Sequence, residues 1–529
     1  MKEAVKKYGA LLLVLIVVSG VCLLFSVRKS GMFIDEIYTY GLSNSHYAPF
    51  VKDVQGGTLV DTVMTRQDLL DYVTVNDGEG LDFGSVYYNQ VNDVHPPLYY
   101  WIFNAVSSLT PNVFSKWTGL ILDYVIYLAA ILLLYRLVLR LYGSRYNAAA
   151  AAALYGLSVL GLSTMIMIRM YVLMTMLTLL LALLVARLLE ERRAIWYPLI
   201  GLTIFLGLMT QYYFVFYAFF LCAAVVFWLL AKREYKALAL FALWAFLGVG
   251  CLVLVFPACL DHLFAEKLVS GGNALDNLRD LSQYKPRLVF FYKELRHGTR
   301  AAIVIALAAI LGLLLCGKKL AAAMKAGQIR WTSLVILIPV LPTLILVALI
   351  SPVLEQRYIY NLVPVFILCV SFLLYLLEQS LGDFPHAFWW KQAAVLLILA
   401  AALWEARTVP PQYLYPEYRD YDALTAAHGN DPCLYMTDDF SWPITQDLQQ
   451  LLAFEDFFIT DDPDSPALDA YLAQKGESAE CVVYIDVSEF WSSGFKPEEM
   501  LPRLVASTGY TGYEVLYENG LSVTYLLTK

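Results

Sequence analysis

The chain has 529 residues, 59% of them hydrophobic and only 16% charged, with a mean hydropathy of +0.60. That balance excludes a water-soluble globular protein and points to a polytopic helical membrane protein. The net charge of −8 hides an asymmetry: residues 407–529 hold 6 Lys/Arg against 21 Asp/Glu, whereas residues 1–406 hold 31 against 24. An acidic tail of this kind is a poor match for nucleic acid or anionic lipid.

The first apolar stretch, 8–27, is long enough to cross a bilayer and lacks a small-residue cleavage site, so it reads as a retained helix. Lys2, Lys6 and Lys7 precede it and predict a cytoplasmic N-terminus. A first outer segment, 28–115, follows. Within it, His95-Pro96-Pro97 opens a short aromatic helix, 98–109, too short to cross and expected along the interface. Further spans are expected at 117–139, 148–168, 171–189, 196–210, 213–230 and 238–257. A second outer loop covers 258–300. Spans at 301–316, 331–351, 359–377 and 393–405 bring the expected total to 11. Basic clusters such as Arg136 with Arg140, Arg187 with Arg192, and Lys232 with Arg233 end the inward-going spans, which predicts an outer tail.

The tail starts after Pro410-Pro411, a reasonable linker. Short β-rich runs at 433–436, 456–460, 481–485, 513–517 and 521–527 alternate with helix-like stretches at 445–454 and 466–475. The pattern predicts a small α/β domain over 407–529, outside a membrane domain spanning 1–406. Cys433 and Cys481 either pair as a disulfide or fill its core. The other six cysteines sit in or beside apolar spans. No CxxC pair or zinc-type spacing is present, and the tail holds no phosphate-binding glycine loop.

The polar residues of interest all fall on the predicted outer side. Asp35 and Glu36 lie just beyond the first span, as either a surface pair or a base at the lipid boundary. Asp93 and His95 come next; His95-Pro-Pro either starts a helix or contacts substrate. Asp35, Asp93 and His95 together are an alternative as a metal set, with nothing in the sequence to fix their spacing in space. Arg169 sits in an apolar run before Tyr171, where a charge is costly unless paired. Arg357-Tyr358 repeats that arrangement after Glu355. Each arginine either snorkels to lipid phosphate or holds an anion in a site, a task suited to its planar fork. Gln211, Tyr212 and Tyr213 fit an interface belt equally well.

In order, Asp35-Glu36, His95-Pro-Pro-Leu-Tyr-Tyr, Arg169-x-Tyr171 and a late Arg357-Tyr358 ahead of Pro364 resemble the GT-C glycosyltransferases. The resemblance is to the family 39-like branch, which includes protein O-mannosyltransferases and lipid A aminoarabinose transferases, and it covers about residues 1–380. It implies a sugar moved, with inversion, from a polyprenyl-phosphate donor in the bilayer to an extracytoplasmic acceptor. It implies Asp35 as general base and Glu36 as helper, Arg169 and Arg357 on the leaving phosphate, and Asp93, His95, Tyr171 and Tyr358 around substrate. Members often carry His where Gln211 stands, so that position receives no catalytic role. The activated donor requires no nucleotide or DxD metal motif, so no cofactor is expected and a divalent metal is not indicated. A hexosyl- or pentosyltransferase of a cell membrane is the resulting expectation.

Two other classes remain. A transporter or flippase places its polar groups at mid-membrane on broken helices, often in inverted repeats, whereas here they sit at outer span ends. A sensor or scaffold working through the tail has no need of the first-segment motifs.

Overall fold

Backbone polar groups inside lipid are satisfied only within helices or closed barrels, and the apolar stretches fold accordingly. The computed structural model describes residues 2–264, 276–316, 331–381, 387–438, 442–488 and 495–529. Seven of its helices are long and apolar enough to cross a membrane: Tyr8–Arg28, Lys116–Tyr142, Tyr171–Glu191, Phe214–Ala231, Tyr235–Val255, Trp331–Ile350 and Gln356–Leu381. Two bent pairs raise the number to nine among the described residues: Arg145–Gly156 with Val159–Ile166, at 60°, and Leu281–Gly298 with Arg300–Leu315, at 87°. Trp196–Leu208 is a shorter apolar helix, and Ala387–Thr408 covers the last expected span. All 11 expected stretches are therefore helical: the one at 148–168 is bent and the one at 196–210 is short, while the second bend falls just ahead of the one at 301–316, in the expected outer loop. The side chains of Lys2, Lys6 and Lys7 lie outside the described part.

The chain forms two compact units. One comprises residues 1–27, 94–99 and 120–412; the other comprises 28–93, 100–119 and 413–529. This division differs from the expected boundary between 406 and 407, because most of the first outer segment shares a unit with the tail.

In the first unit, the break in the 145–166 pair has a local cause. Ser158 Oγ accepts from the Gly161 N–H at 3.1 Å and donates to the Tyr155 carbonyl at 2.8 Å, so the second helix is capped anew just after Gly156. The alanines Ala148–Ala153 are buried. Their small side chains let the helices Val363–Leu381 and Ala387–Thr408 pack closely, and Asn147 donates to the Ser371 carbonyl at 2.8 Å. Gly201 and Gly248 do the same for Trp196–Leu208 against Tyr235–Val255. A Cβ at Gly248 meets the Gly201 carbonyl oxygen at 2.4 Å, and one at Gly201 meets that of Trp244 at 2.5 Å.

The second unit is built on a six-stranded sheet ordered β1-β3-β2-β4-β6-β5. The strands are β1 (Thr62–Thr65), β2 (Cys433–Met436), β3 (Asp456–Thr460), β4 (Glu480–Asp486), β5 (Gly512–Glu518) and β6 (Ser522–Thr528). The central three are parallel; β1, β6 and β5 are antiparallel to their neighbours. All five strands expected in the tail are present, and helix Pro466–Lys475 matches its expected range. The sixth strand, β1, comes from the first outer segment, with Thr62 paired to Ile459. Leu434, Phe458, Leu468, Val483, Met500, Leu504 and Leu527 form a core between the sheet and its helices. Cys433 and Cys481 are fully buried free thiols in that core region, not a disulfide.

Candidate active site

Asp35 and Glu36 occupy the first turn of a helix, Ile34–Asn44, rather than a loop. A carboxylate there meets the positive end of the helix dipole. Glu36 is fully buried. Its Oε2 accepts from Lys29 Nζ at 2.9 Å and from the Phe33 N–H at 2.7 Å, closing the helix N-terminus. Lys29, equally buried, also donates to the Tyr413 carbonyl at 2.6 Å. Asp35 is half-buried, next to that pair. Glu36 is thus engaged in fixing the helix that carries Asp35, a role its sequence neighbourhood did not reveal.

Ile34–Asn44 packs on three helices of its own unit: Arg66–Val73, Phe83–Asn92 and Trp442–Leu451. Tyr38 meets Trp442 edge-on, with ring centroids 6.0 Å apart. Asn44 donates to the Val73 carbonyl at 2.9 Å, and Asn104 donates to the Ser43 carbonyl at 2.8 Å. The tail therefore supports the acidic helix directly. Asp93 caps the C-terminus of Phe83–Asn92 in the same unit and is half-buried.

In the membrane unit, His95 is half-buried ahead of the helix Leu98–Ser107. Arg169 is only 3% exposed, in the turn between Val159–Ile166 and Tyr171–Glu191. Tyr171 opens the latter helix and meets Tyr360 edge-on at 6.1 Å. This contact joins the Arg169 segment to the 3-10 helix Gln356–Leu362, which carries Arg357 and Tyr358. Arg357 Nε lies 3.0 Å from Glu355 Oε2, and its guanidinium lies 5.6 Å from the centre of the Tyr358 ring. Tyr358 packs against Tyr213 at 4.9 Å.

Arg287 completes this group and escaped the sequence reading. It is buried on helix Tyr284–Gly298 and donates to the Ser351 carbonyl at 2.7 Å. Its helix packs on the 3-10 helix that carries Arg357. The available signal was a lone arginine heading the apolar run Leu288-Val-Phe-Phe-Tyr292. Gln211 is buried, while Tyr212 shares a 2.9 Å hydrogen bond with His262 Nδ1.

Residues 94–260 match the family described as dolichyl-phosphate-mannose-protein mannosyltransferase. With the run of apolar helices, that match defines the class the protein resembles: the GT-C-like membrane glycosyltransferases. Among solved structures, ArnT from Cupriavidus metallidurans bound to undecaprenyl phosphate is similar at 12% identity, with 98% of each chain covered and a TM-score of 0.47. Its apo form gives 13%, 98% of each chain and 0.48. The Archaeoglobus fulgidus oligosaccharyltransferase tethered with an acceptor peptide gives 13% identity and a TM-score of 0.48, over 99% of this chain and 74% of that one. No curated protein matches the sequence.

Proposed function

We propose that the protein transfers a hexosyl or pentosyl group from a polyprenyl-phosphate donor to an extracytoplasmic acceptor, with inversion. The observation that carries this reading is a pair of arginines on packed elements, the buried Arg287 on helix Tyr284–Gly298 and Arg357 on the 3-10 helix Gln356–Leu362, at the ends of apolar helices. Guanidinium groups in so apolar a setting suit a phosphate anchored by a lipid tail. The family match over residues 94–260 supports the same class of chemistry.

In the proposed step, the acceptor heteroatom attacks the anomeric carbon as the bond from that carbon to the phosphate oxygen breaks. Asp35 takes the acceptor proton. Arg357, with Arg169 and Arg287, stabilises the charge gathering on the departing polyprenyl phosphate. Asp93 and His95 shape the acceptor side, and Tyr171 and Tyr358 line the donor side. Glu36 acts through the helix as a positioning residue.

The test uses purified protein in liposomes with polyprenyl-phosphate sugars, following transfer to acceptor by mass spectrometry. Asp35→Asn is expected to lower turnover by about 10²–10⁴-fold while the protein inserts and melts as wild type. Normal turnover by this variant overturns the assignment of the base. Arg357→Ala is expected to cost about 10²–10³-fold in kcat. An unchanged kcat removes Arg357 from the leaving-group role.

A further inference from the structure

A second cluster of chemistry-bearing side chains lies in the sheet unit. His428 caps the C-terminus of helix Tyr418–Ala427, Asp431 ends the turn that follows, and Glu480 is the first residue of β4. Asp431 Oδ2 and Glu480 Oε2 both approach the same atom, His428 Nδ1, each at 3.1 Å. A ring nitrogen carries at most one proton, and only the Asp431 contact has hydrogen-bond geometry. The second carboxylate is thus held against a nitrogen already engaged, and the three ligand atoms lie within 4.8 Å of one another.

We infer that His428, Asp431 and Glu480 form a binding site for one divalent transition-metal ion of the zinc class. A dication facing all three removes the conflict, taking the Nδ1 lone pair and one oxygen from each carboxylate. Each of the two nitrogen–oxygen pairs, 3.1 Å apart, subtends about 100° at an ion with bonds of roughly 2.05 Å, close to the angle of a tetrahedral site. The half-exposed Glu480 side chain has room to close the set, and a water supplies the fourth ligand. Ser478 Oγ donates to the other oxygen of Asp431 at 3.1 Å, which orients that carboxylate as a supporting hydrogen bond does in known metal sites. The bound ion ties the end of the helix to the start of β4 and so acts as a structural clasp on the sheet unit.

The experiment uses full-length protein in detergent, stripped with EDTA and then dialysed against zinc chloride. Metal content and thermal unfolding are compared with those of a His428→Gln/Glu480→Gln variant. The wild type is expected to hold one more zinc per chain than the variant and to melt at a higher temperature with zinc than without, a rise the variant lacks. Ser478→Ala is expected to bind zinc about 10–100-fold more weakly. Equal zinc content and equal melting in wild type and variant overturn the site. Glu480→Gln alone, at a side chain 42% exposed, serves if the double variant does not fold. Transfer activity is not a readout, so failure here leaves the proposed function untouched.

Discussion

At the scale of residues, the buried Lys29–Glu36 pair governs how Asp35 is held. Removing one member leaves the other charged and buried, which typically costs about 3–5 kcal/mol. Lys29→Met is therefore expected to lower the melting temperature markedly. The double variant Lys29→Met/Glu36→Gln should recover part of the loss, because no isolated charge remains. A double variant no more stable than the single one would show that the pair matters only through packing. The doublet drew attention in the sequence because acidic residues just beyond a span are chemically conspicuous. The separation of its two members was not legible there, since adjacent residues on a helix point in different directions and burial depends on Lys29 and the Tyr413 carbonyl. Arg287 was missed because the stretch containing it read as an undifferentiated outer loop.

At the scale of elements, apolar length and basic flanks were enough to locate helices at all 11 expected spans. They were not enough to show which run straight. The bend after Gly156 depends on Ser158 capping a new helix, a detail that hydropathy averages away. The short helix Trp196–Leu208 relies on backbone contact through Gly201 and Gly248. Gly248→Val should force the two helices apart, with an overpacking cost of about 1–3 kcal/mol. The check is thermal unfolding beside Gly250→Val, where a Cβ meets nothing within 4 Å. Equal losses in both would mean that close approach is not what holds the short helix. The four residues of β1 carry too little pattern to read as a strand, and their partner lies in the tail.

At the scale of the whole molecule, the acidic tail contains a group that should shape stability against pH. Asp447 is fully buried and accepts hydrogen bonds from Tyr435 at 2.7 Å, Ser522 at 2.6 Å and Asn519. Burial, only partly offset by those bonds, raises its pKa from 3.8 to about 6. The folded protein therefore keeps a proton that the unfolded chain loses, so stability falls as pH rises from about 4 to about 6. A shift of that size corresponds to about 3 kcal/mol. Asp447→Asn should flatten the melting temperature across this range; an unaltered slope assigns it to other carboxylates, such as Asp422, whose pKa burial also raises. At this scale, composition revealed the membrane class and an α/β tail, while the division into two units stayed hidden because it depends on pairing between distant segments.

That pairing has a consequence for biogenesis. The residues that complete the sheet beside β1 leave the ribosome roughly 400 residues after it. At ribosomal speeds of 5–20 residues per second, the delay is on the order of 20–80 s. Throughout that interval β1 has an open edge, and Lys29 and Glu36 lack the Tyr413 carbonyl that later joins them. A chain truncated after Pro411 would remain in that waiting state, its acidic helix seated on Arg66–Val73 and Phe83–Asn92 but without Trp442–Leu451.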